Sequence, residues 1–313
     1  MPCRESIVDS SRTTLRRAGP VFVIGAARSG TTALGRAIGS HSQFYAGDET
    51  LFFTELFGNR RAEGIHERWV GRPSSSWLRR EGVSLDDFLE ALGTGIDALF
   101  TRAAGGRRWV DHTPSYARIA TTLGGLFPAA AFIHILRDGR EVVHSMINIA
   151  NTLPGDVAEV MKQKGFLPEW GRDFRAACVA WRDASRAAAD YARQHPHRCH
   201  TLLHRDLERD PAAALAEVFR FLDAPDEPAP AEFLRKNRFN TSFTGPGGPG
   251  ATRPETYRRP DAWAAWSDEQ RGIFREVAAD DMRAFGFPLP GDTGFGGDGA
   301  GAAASQPISG PMP

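Results

Sequence analysis

Apolar runs of three to six residues, closed by Gly, Pro or charged residues, alternate along this chain with longer stretches whose apolar positions return every three or four residues. The short runs read as buried strands at Val21–Ile24, Arg108–Val110, Ala131–Leu136 and Cys199–Leu203. The longer stretches read as helices. Thr32–Ser40 places Leu34 and Ile38 on one face, and Arg140–Ile149 does the same with Val142, Val143, Met146 and Ile147. In Glu169–Gln194 the residues Trp170, Phe174, Cys178 and Trp181 follow at spacings of four, four and three. Pro211–Leu222 starts with a proline after Asp210, and Ser267–Phe285 starts with Ser267-Asp268-Glu269-Gln270, a capping-box pattern. Strands alternating with helices predict an α/β fold with a central parallel sheet flanked by helices. In such sheets ligands sit beyond the C-terminal strand ends.

Composition narrows the class. The 313 residues suit one large domain, and 38 basic against 38 acidic side chains leave no net field to favour nucleic acid or an anionic membrane. No apolar run approaches the length of a membrane span. The polar start Met1-Pro2-Cys3-Arg4-Glu5-Ser6 carries no secretory pattern. Cys3, Cys178 and Cys199 are odd in number and lack metal-ligand spacing, which predicts reduced thiols in a cytoplasmic protein, the latter two packed inside. Residues 1–19 read as a loose leader, and the Gly/Ala/Pro/Ser-rich residues 290–313 as a disordered tail.

The chemistry concentrates in two places. Val21–Ile24 runs into Gly25-Ala26-Ala27-Arg28-Ser29-Gly30-Thr31-Thr32, a buried strand, a glycine-bounded loop and a helix start. Backbone amides and a helix N-terminus converge on an anion in that layout. The spacing matches the phosphate loop GxxxxGK[ST] except that Thr31 stands where the lysine belongs. A nucleoside-triphosphate reading loses its charge clamp, and Arg28 offers a planar fork for phosphate or sulfate oxygens. Amides, hydroxyls and one arginine, with no metal, fit a sulfuryl donor better than ATP. In the second place, Ala131–Leu136 ends at Arg137, Asp138-Gly139 turns, and Ser145 follows on the next helix, eight residues after Arg137. The pair can converge on one phosphate, with charge-assisted bonds from Arg137 and a hydroxyl donor from Ser145.

These segments resemble the sulfotransferases that use 3′-phosphoadenosine 5′-phosphosulfate (PAPS), and most closely the tyrosylprotein-sulfotransferase-like subgroup with its bacterial relatives. The resemblance covers about residues 21–285 in order, with specific motifs at 25–32, 45–50 and 131–145. It implies an α/β fold related to the nucleotide kinases over residues 20–289, with PAPS as co-substrate and no metal. Arg28, Ser29, Gly30, Thr31 and Thr32 then hold the 5′-phosphosulfate, and Arg137 with Ser145 holds the 3′-phosphate. In Tyr45-Ala46-Gly47-Asp48-Glu49-Thr50, Glu49 stands in register with the subgroup's catalytic base, although Asp48 beside it is an alternative. An acceptor hydroxyl needs such a base during attack.

In Trp109-Val110-Asp111-His112-Thr113-Pro114, His112 occupies a position where many relatives carry a lysine. It is a candidate for a catalytic role, as a cation near the donor or as a second proton acceptor, or for a bond that merely braces the loop. His204 stands where relatives often have a tyrosine near adenine. The Gly- and Pro-rich stretch 240–253 and the arginines after it suggest a loop that closes over the donor, with Thr241, Ser242, Arg253, Arg258 and Arg259 as candidates. Leu51-Phe52-Phe53 reads either as acceptor lining or as a buried turn. Two other functions stay open: a nucleotide or small-molecule kinase with a degenerate phosphate loop, and a non-catalytic nucleotide-binding module. The acceptor hydroxyl and the oligomeric state are not legible.

Overall fold

Val21–Ile24 is a strand without a polar face, and it lies in the middle of the sheet with all four side chains fully buried. A strand covered by helices on both faces has no use for alternation. The computed structural model describes residues 18–72, 76–152, 169–237, 244–245, 248–249 and 261–292. Its main sheet has five strands, β1 (Val21–Ile24), β2 (Phe44–Ala46), β3 (Arg108–Asp111), β4 (Ala131–Leu136) and β5 (Cys199–Leu203), in the order β2-β3-β1-β4-β5. Every pairing is parallel, with Val21 opposite both Val110 and Ala131. The expected central parallel sheet flanked by helices is therefore present.

Successive residues of a strand face opposite sides, and here they feed two separate cores. Phe22, Ile24, Trp109 and Phe132 join Phe53, Tyr116 and Phe127 in an aromatic cluster on one face. Phe22 meets Trp109 edge-on at 5.4 Å and Phe53 at 5.7 Å between ring centroids. Val21, Val23, Val110, Ile133 and Ile135 pack on the other face against Leu34 and Ile38 of α1 (Thr31–Gly39) and against Leu215 and Phe219 of the helix Pro211–Phe221.

Differences from the sequence reading have local causes. Phe44–Ala46 was not among the expected strands, because three residues at a sheet edge carry too little periodicity to be read. The helix expected over Glu169–Gln194 begins at Phe174; Trp170 lies in a short 3₁₀ turn, and the Asp173 carboxylate accepts from the Ala176 amide at 2.7 Å. The caps expected at Asp210 and Ser267 form. Cys178 and Cys199 are buried free thiols whose pKa values burial pushes up to about 12. At the far end, the Asp292 carboxylate accepts from Arg283 Nε at 3.1 Å and from the Leu289 amide at 3.0 Å. No helix among the described residues is long and apolar enough to cross a membrane.

Candidate active site

The loop after β1 is shaped by its backbone. Gly30 has φ +98° and caps α1 without offering a side-chain oxygen; a Cβ there would come within 2.9 Å of the His204 ring. Glycine serves because that conformation and that approach both exclude a side chain. Arg28 also sits in the left-handed region, at φ 71°, which costs a non-glycine residue of order 1 kcal/mol. Its carbonyl accepts from Arg137 Nη1 at 2.7 Å, a bond that holds the strained turn.

The same two arginines unite the segments that the sequence set apart. Arg28 Nε donates to Ser145 Oγ at 3.5 Å, across 117 residues of sequence. Ser145 lies on the helix Gly139–Thr152, which follows β4 and the Asp138-Gly139 turn. Arg137, at the end of β4, is held on three sides. Its Nε and Nη2 donate to Glu141 at 3.0 and 2.8 Å, and its carbonyl accepts from the buried Trp181 indole at 3.2 Å. Although it pairs with Glu141, the arginine side chain is only 12% exposed and turns toward the loop. Desolvation lowers the Arg28 pKa, and the positive Arg137 nearby lowers it further, against a smaller opposite pull from Glu49. Two crowded guanidinium groups of which one is desolvated form a site for an anion.

Glu49 meets the first turn of α1. Thr32 Oγ1 donates to Glu49 Oε1 at 2.5 Å, and His112 Nδ1 lies 3.8 Å from the same oxygen. The glutamate side chain is 38% exposed, so a substrate can reach it, whereas His112 is fully buried. His112 Nε2 donates to the Gly47 carbonyl at 3.1 Å. Gly35 of α1 makes room for the ring, since a Cβ there would stand 2.4 Å from His112 Cβ. Asp48 is occupied elsewhere, accepting from Arg36 Nη2 at 3.0 Å in an exposed pair. That separates the two adjacent carboxylates.

What fixes the neighbouring Thr50 is a network, built on buried Asp111, Thr113 and Tyr116, that the sequence did not disclose. The Thr50 hydroxyl donates to Asp111 Oδ2 at 2.9 Å and meets the Tyr116 hydroxyl at 2.8 Å, while the Thr50 amide donates to Thr113 Oγ1 at 3.2 Å. Asp111 also accepts from the Thr113 hydroxyl and amide at 2.7 and 3.1 Å. Burial, with Asp111 second, raises the Tyr116 pKa and keeps the phenol protonated as a donor. The available signal was Asp111-x-Thr113-Pro114 after a strand, where an aspartate bonds the amide two residues on. Of the remaining expected residues, Ser29 and Thr31 are buried within the loop, and Leu51 is half exposed at φ 55° while Phe53 joins the aromatic core. His204 packs on Gly30 and pairs with Glu208 at 3.5 Å. Thr241, Ser242, Arg253, Arg258 and Arg259 lie outside the described residues. Among the described residues no group of three His, Cys, Asp or Glu side chains is placed to hold a metal ion.

Comparison with known proteins gives the family. The chain is 24% identical over 210 residues to protein-tyrosine sulfotransferase A of Caenorhabditis elegans, covering 66% of this chain and 50% of that protein. To human protein-tyrosine sulfotransferase 1 it is 26% identical over 157 residues, covering 49% and 40%. The chain thus spans about half or less of the length of these two relatives. A solved sulfotransferase domain from the olefin synthase of Synechococcus PCC 7002 superposes with a TM-score of 0.49 at 19% identity, covering 88% of this chain and 98% of that one. The model of the sulfotransferase family matches residues 20–228, about two thirds of the chain and all of the site just described, and the chain belongs to that family.

Proposed function

We propose that this chain transfers a sulfuryl group from PAPS to an acceptor hydroxyl on a small molecule, a carbohydrate or a tyrosine. One observation carries the reading. Arg28 and Ser145, from the two anion-binding segments, lie 3.5 Å apart, and Thr32 of the same loop bonds Glu49 at 2.5 Å. Anion site and base therefore share one loop. The residues fit the donor: a glycine-shaped turn, uncapped helix amides and two arginines that repel each other favour a ligand with several negative charges.

In this reading Arg28, Ser29, Gly30, Thr31 and Thr32 bind and orient the 5′-phosphosulfate, and Arg137 with Ser145 the 3′-phosphate. Bound there, PAPS supplies an activated sulfuryl group. Glu49 takes the acceptor's proton during attack, and Arg28 with the loop amides holds the charge that gathers on the 5′-phosphate. No step calls for a metal. The catalytic domain spans residues 20–289, and the buried free thiols of Cys178 and Cys199 fit a cytoplasmic setting.

Calorimetry with 3′-phosphoadenosine 5′-phosphate (PAP) and with ATP, each with and without Mg²⁺, tests the donor. Metal-independent binding of PAP, tighter than that of ATP, is expected. Release of PAP from PAPS is then followed with 4-nitrophenol, tyrosine methyl ester, octanol and a monosaccharide as acceptors. A folded protein that ignores PAP, or binds ATP only with Mg²⁺, refutes the proposal.

A further inference from the structure

His112 stands where sequence similarity leads one to look for a lysine, and its ring is placed for a task that a lysine cannot perform. A ring nitrogen facing a carbonyl oxygen must carry the proton, so the bond from Nε2 to the Gly47 carbonyl at 3.1 Å fixes the tautomer. In the neutral ring Nδ1 is then a lone pair. That atom is fully buried and has no hydrogen-bond partner among the described residues. It faces Glu49 Oε1 at 3.8 Å, beyond hydrogen-bond range. A buried lone pair opposite a carboxylate is unfavourable, and one added proton between them removes the conflict.

We propose that His112 receives, at Nδ1, the proton that Glu49 takes from the acceptor. The inference rests on the sulfuryl-transfer reading and on Glu49 as its base. The acceptor's O–H bond breaks as its oxygen bonds to sulfur, and that proton goes to Glu49. The bond from sulfur to the 5′-phosphate oxygen breaks, and its electron pair leaves with the phosphate. As the acceptor proton arrives, Glu49 passes a proton to His112 Nδ1, so the end state is a carboxylate beside an imidazolium. The imidazolium returns the proton to water, by way of the exposed carboxylate, after product release.

The surroundings favour this sink. From the loop after β2, Gly47 presents its carbonyl and Glu49 its carboxylate, both favourable to a positive ring. From α1, Gly35 presents no charge, and Arg36 is turned to Asp48. On the ring's own strand Asp111 is bound to Thr50, Thr113 and Tyr116. Arg28 lies close enough to Glu49 for the opposite charges to attract, so it draws on the carboxylate and not on the ring.

His112→Gln is the test, because the glutamine amide can replace the Nε2–H donor to Gly47 but cannot take a proton. Turnover is measured against pH at saturating PAPS, with whichever acceptor of the panel above gives PAP release, alongside the PAP dissociation constant. The expected result is a fall in kcat of about 10–100-fold with PAP affinity kept, and loss of an acid limb in kcat that the parent shows. Parent-like kcat and pH profile overturn the proposal, as does a loss confined to PAP affinity, which makes His112 a donor contact. Should the variant not fold, single-turnover rates of the unaltered protein in H₂O–D₂O mixtures decide. A curved dependence on deuterium fraction means two protons moving together, and a straight line overturns the relay. Glu49→Gln separates the two readings. If it turns over like the parent, the base assignment fails; if it is inactive while His112→Gln is parent-like, the relay alone fails.

Discussion

Replacing Arg28 by alanine should weaken donor binding without weakening the protein. In the free state Arg28 sits at a strained φ of 71°, partly desolvated, beside the like charge of Arg137. Alanine removes the repulsion and the desolvation but keeps the carbonyl that Arg137 binds, so the ligand-free melting temperature should hold or rise slightly. With PAP bound, the loss is one or more charge-assisted bonds, each about 1.5–3 kcal/mol, or roughly 10–150-fold in dissociation constant. At a PAP concentration near 100 times the parent's dissociation constant, the ligand stabilises the parent by about 2.7 kcal/mol. The variant at that same concentration would gain about 0.3–1.4 kcal/mol. For a domain of this size each kcal/mol is worth about 2 °C, so a parent shift of about 5 °C shrinks to about 1–3 °C. Thermal melts with and without PAP read both quantities. An unchanged PAP shift would remove Arg28 from the anion site, and a variant less stable when free would show that Arg28 is a structural residue.

Three other outcomes follow from the geometry. Ser145→Ala should weaken PAPS binding while leaving adenosine 5′-phosphosulfate, which lacks the 3′-phosphate, nearly unchanged; Arg137→Ala should weaken both, since Arg137 also holds the Arg28 carbonyl. Calorimetry with the two nucleotides reads this, and equal losses for Ser145→Ala would refute the split. Asp111→Asn breaks the charged centre of the Thr50–Thr113–Tyr116 network and should cost about 2–4 kcal/mol in urea unfolding, with a fall in turnover larger than any fall in PAP affinity. Finally, burial holds the His134 pKa down to about 4, from an ordinary 6.5. The unfolded chain therefore binds a proton that the folded chain refuses, and stability is lost as pH falls from 6.5 toward 4. The loss amounts to about 2 kcal/mol between pH 7 and pH 5, and His134→Gln should abolish that part of the slope in urea titrations.

How much of this site was legible depended on whether its parts lie in one stretch of chain. Val21–Thr32 and Ala131–Ser145 each contain strand, turn and helix in sequence, so composition and spacing alone placed Arg28 in the loop after a strand, Arg137 at a strand end and Ser145 on the helix that follows. The edge strand Phe44–Ala46 was not legible because parallel pairing with β3 supplies the order that three residues cannot encode. The Asp111–Thr50 contact spans 61 residues, and nothing in either segment names the other. Glu141 lies four residues from Arg137, so their pairing is local, whereas the reach of Arg137 to the Arg28 carbonyl depends on β1 and β4 lying side by side. Between Asp48 and Glu49 the sequence offered only motif register in favour of Glu49; the physical difference, Arg36 of α1 holding Asp48, comes from the fold.

The kinase alternative can be weighed on Thr31. In a nucleoside-triphosphate loop the residue at this position is a lysine whose long stem carries a charge out to the terminal phosphates. Thr31 is 2% exposed and packed within the first turn of α1, so a lysine in this setting would have to displace the packing to emerge. The positive charge of the loop comes instead from Arg28, and the second cation from Arg137 at the end of the neighbouring strand β4, held in place by Glu141, Trp181 and the Arg28 carbonyl. Two guanidinium groups, one in the loop after β1 and one at the end of β4, grip an anion at two places, and the bond that breaks lies at the Arg28 end, where the loop orients the sulfuryl group. Thr31→Lys should therefore fail to confer Mg²⁺-dependent ATP binding and should lower the melting temperature by overfilling the first turn. Calorimetry with ATP and Mg²⁺ on a folded Thr31→Lys protein decides the point: tight binding there would mean that the loop is a triphosphate cradle short of one side chain, and would return the kinase reading to first place.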